Sequence, residues 1–101
     1  MVNEEIYLQW MNEYFHSADK EDPENYSEWV NYLMNARDDD TLFKIWNSVL
    51  SGRLGMQVRN YMRQNHPEID EDFYENYGGF EDYSWELINK LLDKIEKGEI
   101  N

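Results

Sequence analysis

Apolar residues recur along most of this chain with the spacing of one face of an α-helix. In the first segment they fall three and one residues apart, at Tyr7, Trp10, Met11, Tyr14 and Phe15, and similar spacing returns in later segments. No strand-like alternation and no internal repeat interrupts the series. We therefore predict an all-α fold, a compact bundle of four to five short helices forming one acidic domain over residues 1–101.

Polar residues before the apolar segments mark the predicted helix starts. Short side chains with a hydrogen-bond acceptor are favoured at N-caps, and proline is favoured at the first helical position. The candidate caps, in chain order, are Asn3, Asp22 followed by Pro23, the aspartates at 38–40, and Asp82 or Ser84.

Glycines mark the predicted turns and helix ends. Gly52 and Gly55 are expected to bracket a sharp turn before the fourth helix, and Gly98 is expected to end the last one. Residues 68–83 fit either a short helix or a long loop that carries aromatic side chains.

Large apolar side chains divide into those on the predicted helix faces and those off them. Trp10, Trp29, Trp46 and Trp85 each lie on a predicted core face, so we expect a shared aromatic core. Four residues fall off these faces and predict an apolar patch that another molecule covers: Ile6, Leu8, Phe43 and Leu87.

The charge is strongly negative, with 22 acidic residues against 9 Lys and Arg and a net charge of -13. The segment 41–65 contains no acidic residue, so the chain runs acidic, basic, acidic. This balance argues against direct binding to nucleic acid or to anionic membranes and favours a basic protein partner. The chain contains no cysteine, no long apolar run and no basic start typical of a signal peptide, so we expect a cytoplasmic location.

The segment Leu54-Gly55-Met56-Gln57-Val58-Arg59-Asn60 follows an apolar helix and precedes Asp82 and Ser84. It resembles the core of a family of small bacterial domains of unknown function, in which a leucine-glycine pair leads into a hydrophobic-Arg-Asn element. The resemblance covers about the second half of the chain. It implies that this segment is a structural or functional centre, and it implies no activity.

No residue pattern predicts catalysis, a cofactor or a metal site. His16 and His66 have acidic neighbours, but the spacing of His66, Asp70 and Asp72 matches no known ligand pattern, and we expect both histidines to be exposed in loops. No carboxylate pair or serine has the context of an active site. We therefore predict a protein that is not an enzyme, and the least favoured hypothesis is a metal-dependent enzyme that uses His66.

Two groups of residues are candidate binding sites. Arg53, Arg59 and Arg63 form either an anion site or a hub of internal ion pairs with the acidic flanks. An acidic and aromatic stretch suits a surface that binds arginines of a partner, although the sequence slightly favours a solvated loop held by its tyrosines. Its candidate residues are Glu71, Asp72, Tyr74, Glu75, Tyr77, Glu81 and Asp82, with Tyr83 beside them.

Two functions remain open from the sequence. The first is a non-enzymatic acidic protein that binds a basic, nucleic-acid-binding partner as a nucleic-acid mimic, in the way of an inhibitor or immunity protein. The alternative is a structural or regulatory helical module that forms a homodimer through its apolar patch.

Overall fold

The computed structural model describes residues 4–17, 25–47, 54–69 and 80–100. Those residues form five α-helices and no strand, which confirms the all-α prediction. None of these helices is both long and apolar enough to cross a lipid bilayer. The helices are α1 (Glu4–Ser17), α2 (Tyr26–Asp38), α3 (Leu42–Asn47), α4 (Leu54–Asn65) and α5 (Phe80–Glu96).

The first and last helices pack against each other and against two further helices each. Helix α1 packs against α2, α4 and α5, and α5 also packs against α2 and α4. The short α3 bridges α2 and α4. The Cα radius of gyration is 13.0 Å, close to the ~13 Å of a compact chain of about this length.

Because α1 and α5 each have several neighbours, they bury a wider face than one stripe. Leu8 and Leu87 are fully buried, although the spacing predicted them to be off the core face. Each contributes about 1.5–3 kcal/mol through its burial. Only Ile6 and Phe43 of the predicted apolar patch are exposed. The patch of four residues is therefore wrong, because two of its members belong to the core.

The tryptophans occupy different depths of the core. Trp46 is fully buried, whereas Trp10, Trp29 and Trp85 are half-buried and pack around the core edge. Trp29 contacts Phe15 edge-on, with 5.3 Å between the ring centroids. The expected shared aromatic core is thus one central indole with the others at the periphery.

Helix α2 begins at a different cap from the one that the sequence predicted. Asn25 is the N-cap, and its Oδ1 accepts a hydrogen bond from the Glu28 main-chain N–H at 3.0 Å. At the other end, Asp38 is the last residue of α2 and Asp39 is its C-cap. The Asp39 Oδ1 accepts from both the main-chain N–H and the hydroxyl of Thr41. The aspartates therefore form the turn between α2 and α3.

Three other helix ends test the sequence predictions. Gly98 does end α5: its φ is 76°, and the N–H groups of residues 98 and 99 bond back to Ile95 and Lys94. Gly55 lies in the first turn of α4, close to where the sequence predicts that the fourth helix begins. Ser84, expected as a cap, lies inside α5 and is fully buried. Gly55 and Ser84 both pack against Trp46, and at Ser84 this tertiary contact outweighs the local preference for a cap. Asn3, Asp22 and Gly52 lie outside the described residues.

Candidate partner-binding surface

The Leu54 to Asn60 segment forms the first two turns of α4 and closes over a buried polar centre. The Ser84 hydroxyl accepts a hydrogen bond from Trp46 Nε1 at 3.3 Å and from Arg59 Nη1 at 3.1 Å. All three residues are buried. Gly55, one turn before Arg59, brings the α4 backbone against the indole. This segment therefore joins α3, α4 and α5.

The predicted arginine cluster does not form one surface within the described residues. Arg59 is buried and contacts Ser84. Arg63 is half-buried, and its Nη1 lies 3.5 Å from the Asn60 Oδ1. Arg53 lies outside the described residues. The partner of Arg59 in this contact is a serine hydroxyl and not a carboxylate, so the anion site and the hub of internal ion pairs both stay predictions.

Several lysines and arginines form partly exposed ion pairs with carboxylates of the same chain. Arg37 pairs with Asp93, and Lys94 lies 3.5 Å from the Glu99 carboxylate. Lys90 Nζ lies 2.9 Å from Glu4 Oε2. These contacts tie α5 to α2, to α1 and to its own C-terminal end.

Glu4 links the start of α1 to α5 and is, among the described carboxylates, the one whose ionisation the fold changes most clearly. Its Oε2 accepts a hydrogen bond from the buried Tyr83 hydroxyl as well as the contact from Lys90. The Tyr83 hydrogen bond is the main reason that the pKa of Glu4 lies below its ordinary 4.5, and Lys90 and Lys94 lower it further. Tyr83 is thus a core residue of α5, and its predicted place among loop tyrosines is wrong.

Most other carboxylates on described residues face the solvent. They cover the turn after α2, the end of α4 and the outer face of α5. An outward-facing set of like charges produces a negative potential that attracts cationic partners. The exposed members include Asp38, Asp39, Asp40, Glu68, Asp82, Glu86 and Glu96.

The turn after α2 is the most concentrated part of this surface. Asp38, Asp39 and Asp40 are consecutive and all exposed, and we call them the acidic corner. Asp40 has a φ of 62°, a left-handed conformation that costs a non-glycine residue roughly 1–2 kcal/mol. The main-chain N–H of Asp40 bonds to the Arg37 carbonyl at 3.3 Å, which helps to hold this tight turn.

A cleft of about 140 Å³ opens beside the acidic corner, between the end of α2, the start of α3 and α5. Phe43 is 57% exposed, and its ring meets Trp85 edge-on with 5.1 Å between centroids. We call this the Phe43 cleft. Its lining residues are Arg37, Asp40, Leu42, Phe43, Trp85 and Asn89.

The predicted acidic and aromatic surface is described only in part. Asp82 is exposed on α5, three residues before Trp85, so it lies on the helix face that borders the Phe43 cleft. Glu81 lies in α5. The remaining candidates, Glu71, Asp72, Tyr74, Glu75 and Tyr77, lie outside the described residues, and their role stays a prediction.

Both histidines stack on aromatic rings, and each meets only part of the expectation of an exposed loop residue: His16 is exposed but helical, whereas His66 lies just after α4 but is half-buried. His66 is half-buried, stacks on Trp10 at 3.7 Å, and places Nε2 3.4 Å from Glu13 Oε2. His16 lies in the last turn of α1 and stacks on Tyr26, also with 3.7 Å between the ring centroids.

No group of three His, Asp or Glu side chains is arranged to hold a metal ion within the described ranges. Asp70 and Asp72 lie outside those ranges. The metal hypothesis around His66 is therefore untested.

Sequence reasoning missed most of the Phe43 cleft. Phe43 carried a signal, because it is a large apolar residue off the predicted helix face. Asp40 was assigned only a capping role, and Arg37 and Asn89 carried no signal at all, because their positions in the cleft depend on how α2 packs against α5.

Comparison of this chain with protein-family models, with curated proteins and with solved structures finds no match. The resemblance of the second half to a family of small bacterial domains is therefore neither supported nor contradicted.

Proposed function

We propose that this chain is a non-enzymatic acidic protein that binds a basic protein partner through its exposed carboxylates. The sharpest form of the proposal is a nucleic-acid mimic that occupies the groove of a nucleic-acid-binding protein. The observation that carries it is the division of charge: Arg37, Arg59 and Lys90 engage internal partners, whereas the acidic corner and the outer face of α5 are exposed. Because these three cations already have partners in the fold, they do not neutralise the exposed carboxylates, which present a negative surface on a chain with a net charge of -13.

The size of the helical scaffold fits this role. The molecule measures 33 × 32 × 26 Å, and the described carboxylates are spread over several of its elements. The electrostatic attraction between exposed carboxylates and a cationic groove acts over a distance and is screened by salt. The Debye length is roughly 8 Å at physiological ionic strength. Such an interface associates rapidly and weakens steeply as the salt concentration rises.

The experiment is a pull-down with this protein as bait, eluted in steps of increasing salt, followed by a competition assay with the purified partner. We expect a basic nucleic-acid-binding protein that elutes at moderate salt. This protein should then displace a labelled DNA duplex from it in fluorescence anisotropy. A captured protein that keeps its DNA in the presence of excess bait would exclude the mimic.

A second candidate function is a helical module that forms a homodimer through apolar contacts. The exposure of Phe43, at 57%, and of Ile6, at 39%, favours it, but the burial of Leu8 and Leu87 halves the predicted patch. Sedimentation velocity at low and high salt separates the two functions. A dimer that persists at high salt and dissociates in Phe43→Ala would favour the module, whereas a monomer at both salts would favour the acidic binding protein.

A further inference from the structure

We propose that the Phe43 cleft binds an arginine side chain presented by the basic partner. This inference rests on the proposed function and names the point at which one partner residue is recognised. It differs from general attraction to the acidic surface because it predicts a preference for arginine over lysine at one place.

The size of the cleft sets the class of ligand. The volume of the cleft is about 140 Å³. Pockets for drug-sized molecules and cofactors measure about 300–1,000 Å³. The cleft therefore suits a single side chain.

The aromatic pair supplies a surface that prefers a flat cation. The Phe43 and Trp85 rings are nearly perpendicular, at 88°, so together they form a corner that presents aromatic surface to the cleft. Arginine stacks on aromatic faces more readily than lysine, because its guanidinium is planar and more weakly hydrated. Phe43 is also the most exposed large apolar side chain among the described residues, and a partner side chain would cover it.

The charges around the cleft favour a cation. Asp40 lines the cleft, and Asp38 and Asp39 are exposed beside it. The cleft also contains Arg37, but its positive charge is paired with the Asp93 carboxylate. Lys44 is exposed on α3 and reduces the excess of negative charge without cancelling three aspartates.

The test compares two short peptides that differ at one residue, acetyl-Gly-Arg-Gly-amide and acetyl-Gly-Lys-Gly-amide. Each is titrated into the ¹⁵N-labelled full chain at low salt while the Trp85 indole N–H and the Asn89 side-chain amide are followed by NMR. We expect the arginine peptide to shift both signals and to bind about two- to fivefold more tightly than the lysine peptide, the range for an exposed cation–π contact.

Matched variants locate the binding. Phe43→Leu keeps an apolar side chain but removes the ring, and it should abolish the preference for arginine. Asp40→Asn removes one charge at the cleft and should weaken both peptides more than Glu68→Gln, which removes an exposed charge that does not line the cleft. Ile6→Ala is the control for loss of an exposed apolar side chain.

The outcomes separate this inference from the proposed function. Equal binding of both peptides, with equal effects of Asp40→Asn and Glu68→Gln and a strong salt dependence, would overturn the arginine site and leave the acidic binding function standing. Absence of any salt-sensitive binding to a basic protein, although the arginine peptide occupies the cleft, would overturn the function and keep the site. An arginine peptide that shifts neither Trp85 nor Asn89 contradicts the site directly.

Discussion

Gly55 lies directly against Trp46: a Cβ placed on Gly55 would stand 2.5 Å from the Trp46 main-chain oxygen and 2.9 Å from two atoms of its indole ring. Contacts this short require the backbone of α3 or α4 to move. The close approach holds the indole in place for its hydrogen bond to Ser84. Glycine is therefore needed here for space, and not for an unusual backbone angle.

Gly55→Ala is expected to destabilise the fold by about 2 kcal/mol. Overpacking costs about 1–3 kcal/mol, and the upper part of this range applies because the clash involves a main-chain atom. The better helix propensity of alanine returns about 1 kcal/mol. Urea denaturation followed by far-UV circular dichroism measures the difference. Gln64→Ala, on an exposed position of the same helix, serves as the control and should change stability by less than about 0.5 kcal/mol. A Gly55→Ala protein as stable as the wild type would contradict the close contact.

Ser84→Ala is expected to cost about 1–3 kcal/mol, because it removes the hydroxyl that accepts from both Trp46 and Arg59. The same denaturation assay measures it, and Ser27→Ala on the exposed face of α2 is the matched control. The Trp46 indole N–H signal should also shift in the Ser84→Ala spectrum. An unchanged indole signal would show that this hydrogen bond does not form in solution.

The loss of folding stability at acid pH should depend on Glu4. Because the folded protein lowers the pKa of Glu4, chiefly through Tyr83, the carboxylate stays ionised to lower pH when folded than when unfolded. Its contribution to stability is therefore complete above about pH 4.5 and is lost as the pH falls through the lowered pKa. The stability difference between wild type and Glu4→Gln should shrink over that window.

Tyr83→Phe is the sharper test of the same contact, since it removes one hydroxyl from a buried ring. The pKa of Glu4, read from its side-chain carboxyl ¹³C shift, should rise toward 4.5 in this variant. A Glu4 that titrates at the same pH in both proteins would contradict the contact between α1 and α5.

Tyr14 should ionise late in an alkaline titration, because burial raises its pKa above the ordinary 10.0. Below pH 10 the phenol is neutral in both folded and unfolded chains, so it adds no pH dependence there. As the pH rises further, the unfolded chain loses this proton first, and stability falls. The ultraviolet absorbance of tyrosinate measures the titration, and Tyr14→Phe should remove amplitude only from its high-pH part. If Tyr14→Phe instead removed tyrosinate absorbance from the part of the titration near pH 10, the burial of the Tyr14 phenol would be contradicted.

Local patterns predicted the helices well, because helix formation and the apolar stripe follow from residues three and four positions apart. The prediction that Gly98 ends the last helix is confirmed for the same reason. Its positive φ belongs to a C-cap that involves only residues a few positions away. Ser84 was misread because a serine before an apolar run is also a good N-cap. Its true partners, Trp46 and Arg59, lie 38 and 25 residues away.

The candidate site was predicted only in outline. Acidic character and aromatic side chains near the start of α5 were visible in the composition, and Asp82 does lie on the face that borders the Phe43 cleft. The cleft itself could not be predicted from the sequence. One of its lining residues, Arg37, is held in place by Asp93, which lies 56 residues away in the chain. Phe43 was recognisable as misplaced, but only the packing of α3 against its neighbours shows that it flanks Trp85.

The packing of the first helix against the last has a consequence for synthesis on the ribosome. Its partners in the fold include α5, and its contact from Glu4 to Lys90 joins residues 86 apart. At a translation rate of about 5–20 residues per second, roughly 4–17 s pass between the synthesis of α1 and the completion of the last helix. During that interval the nascent chain exposes Leu8 and Met11, which are fully buried once the bundle closes. Chaperone binding to the nascent chain should therefore be strongest at α1 and should end only when α5 emerges from the exit tunnel.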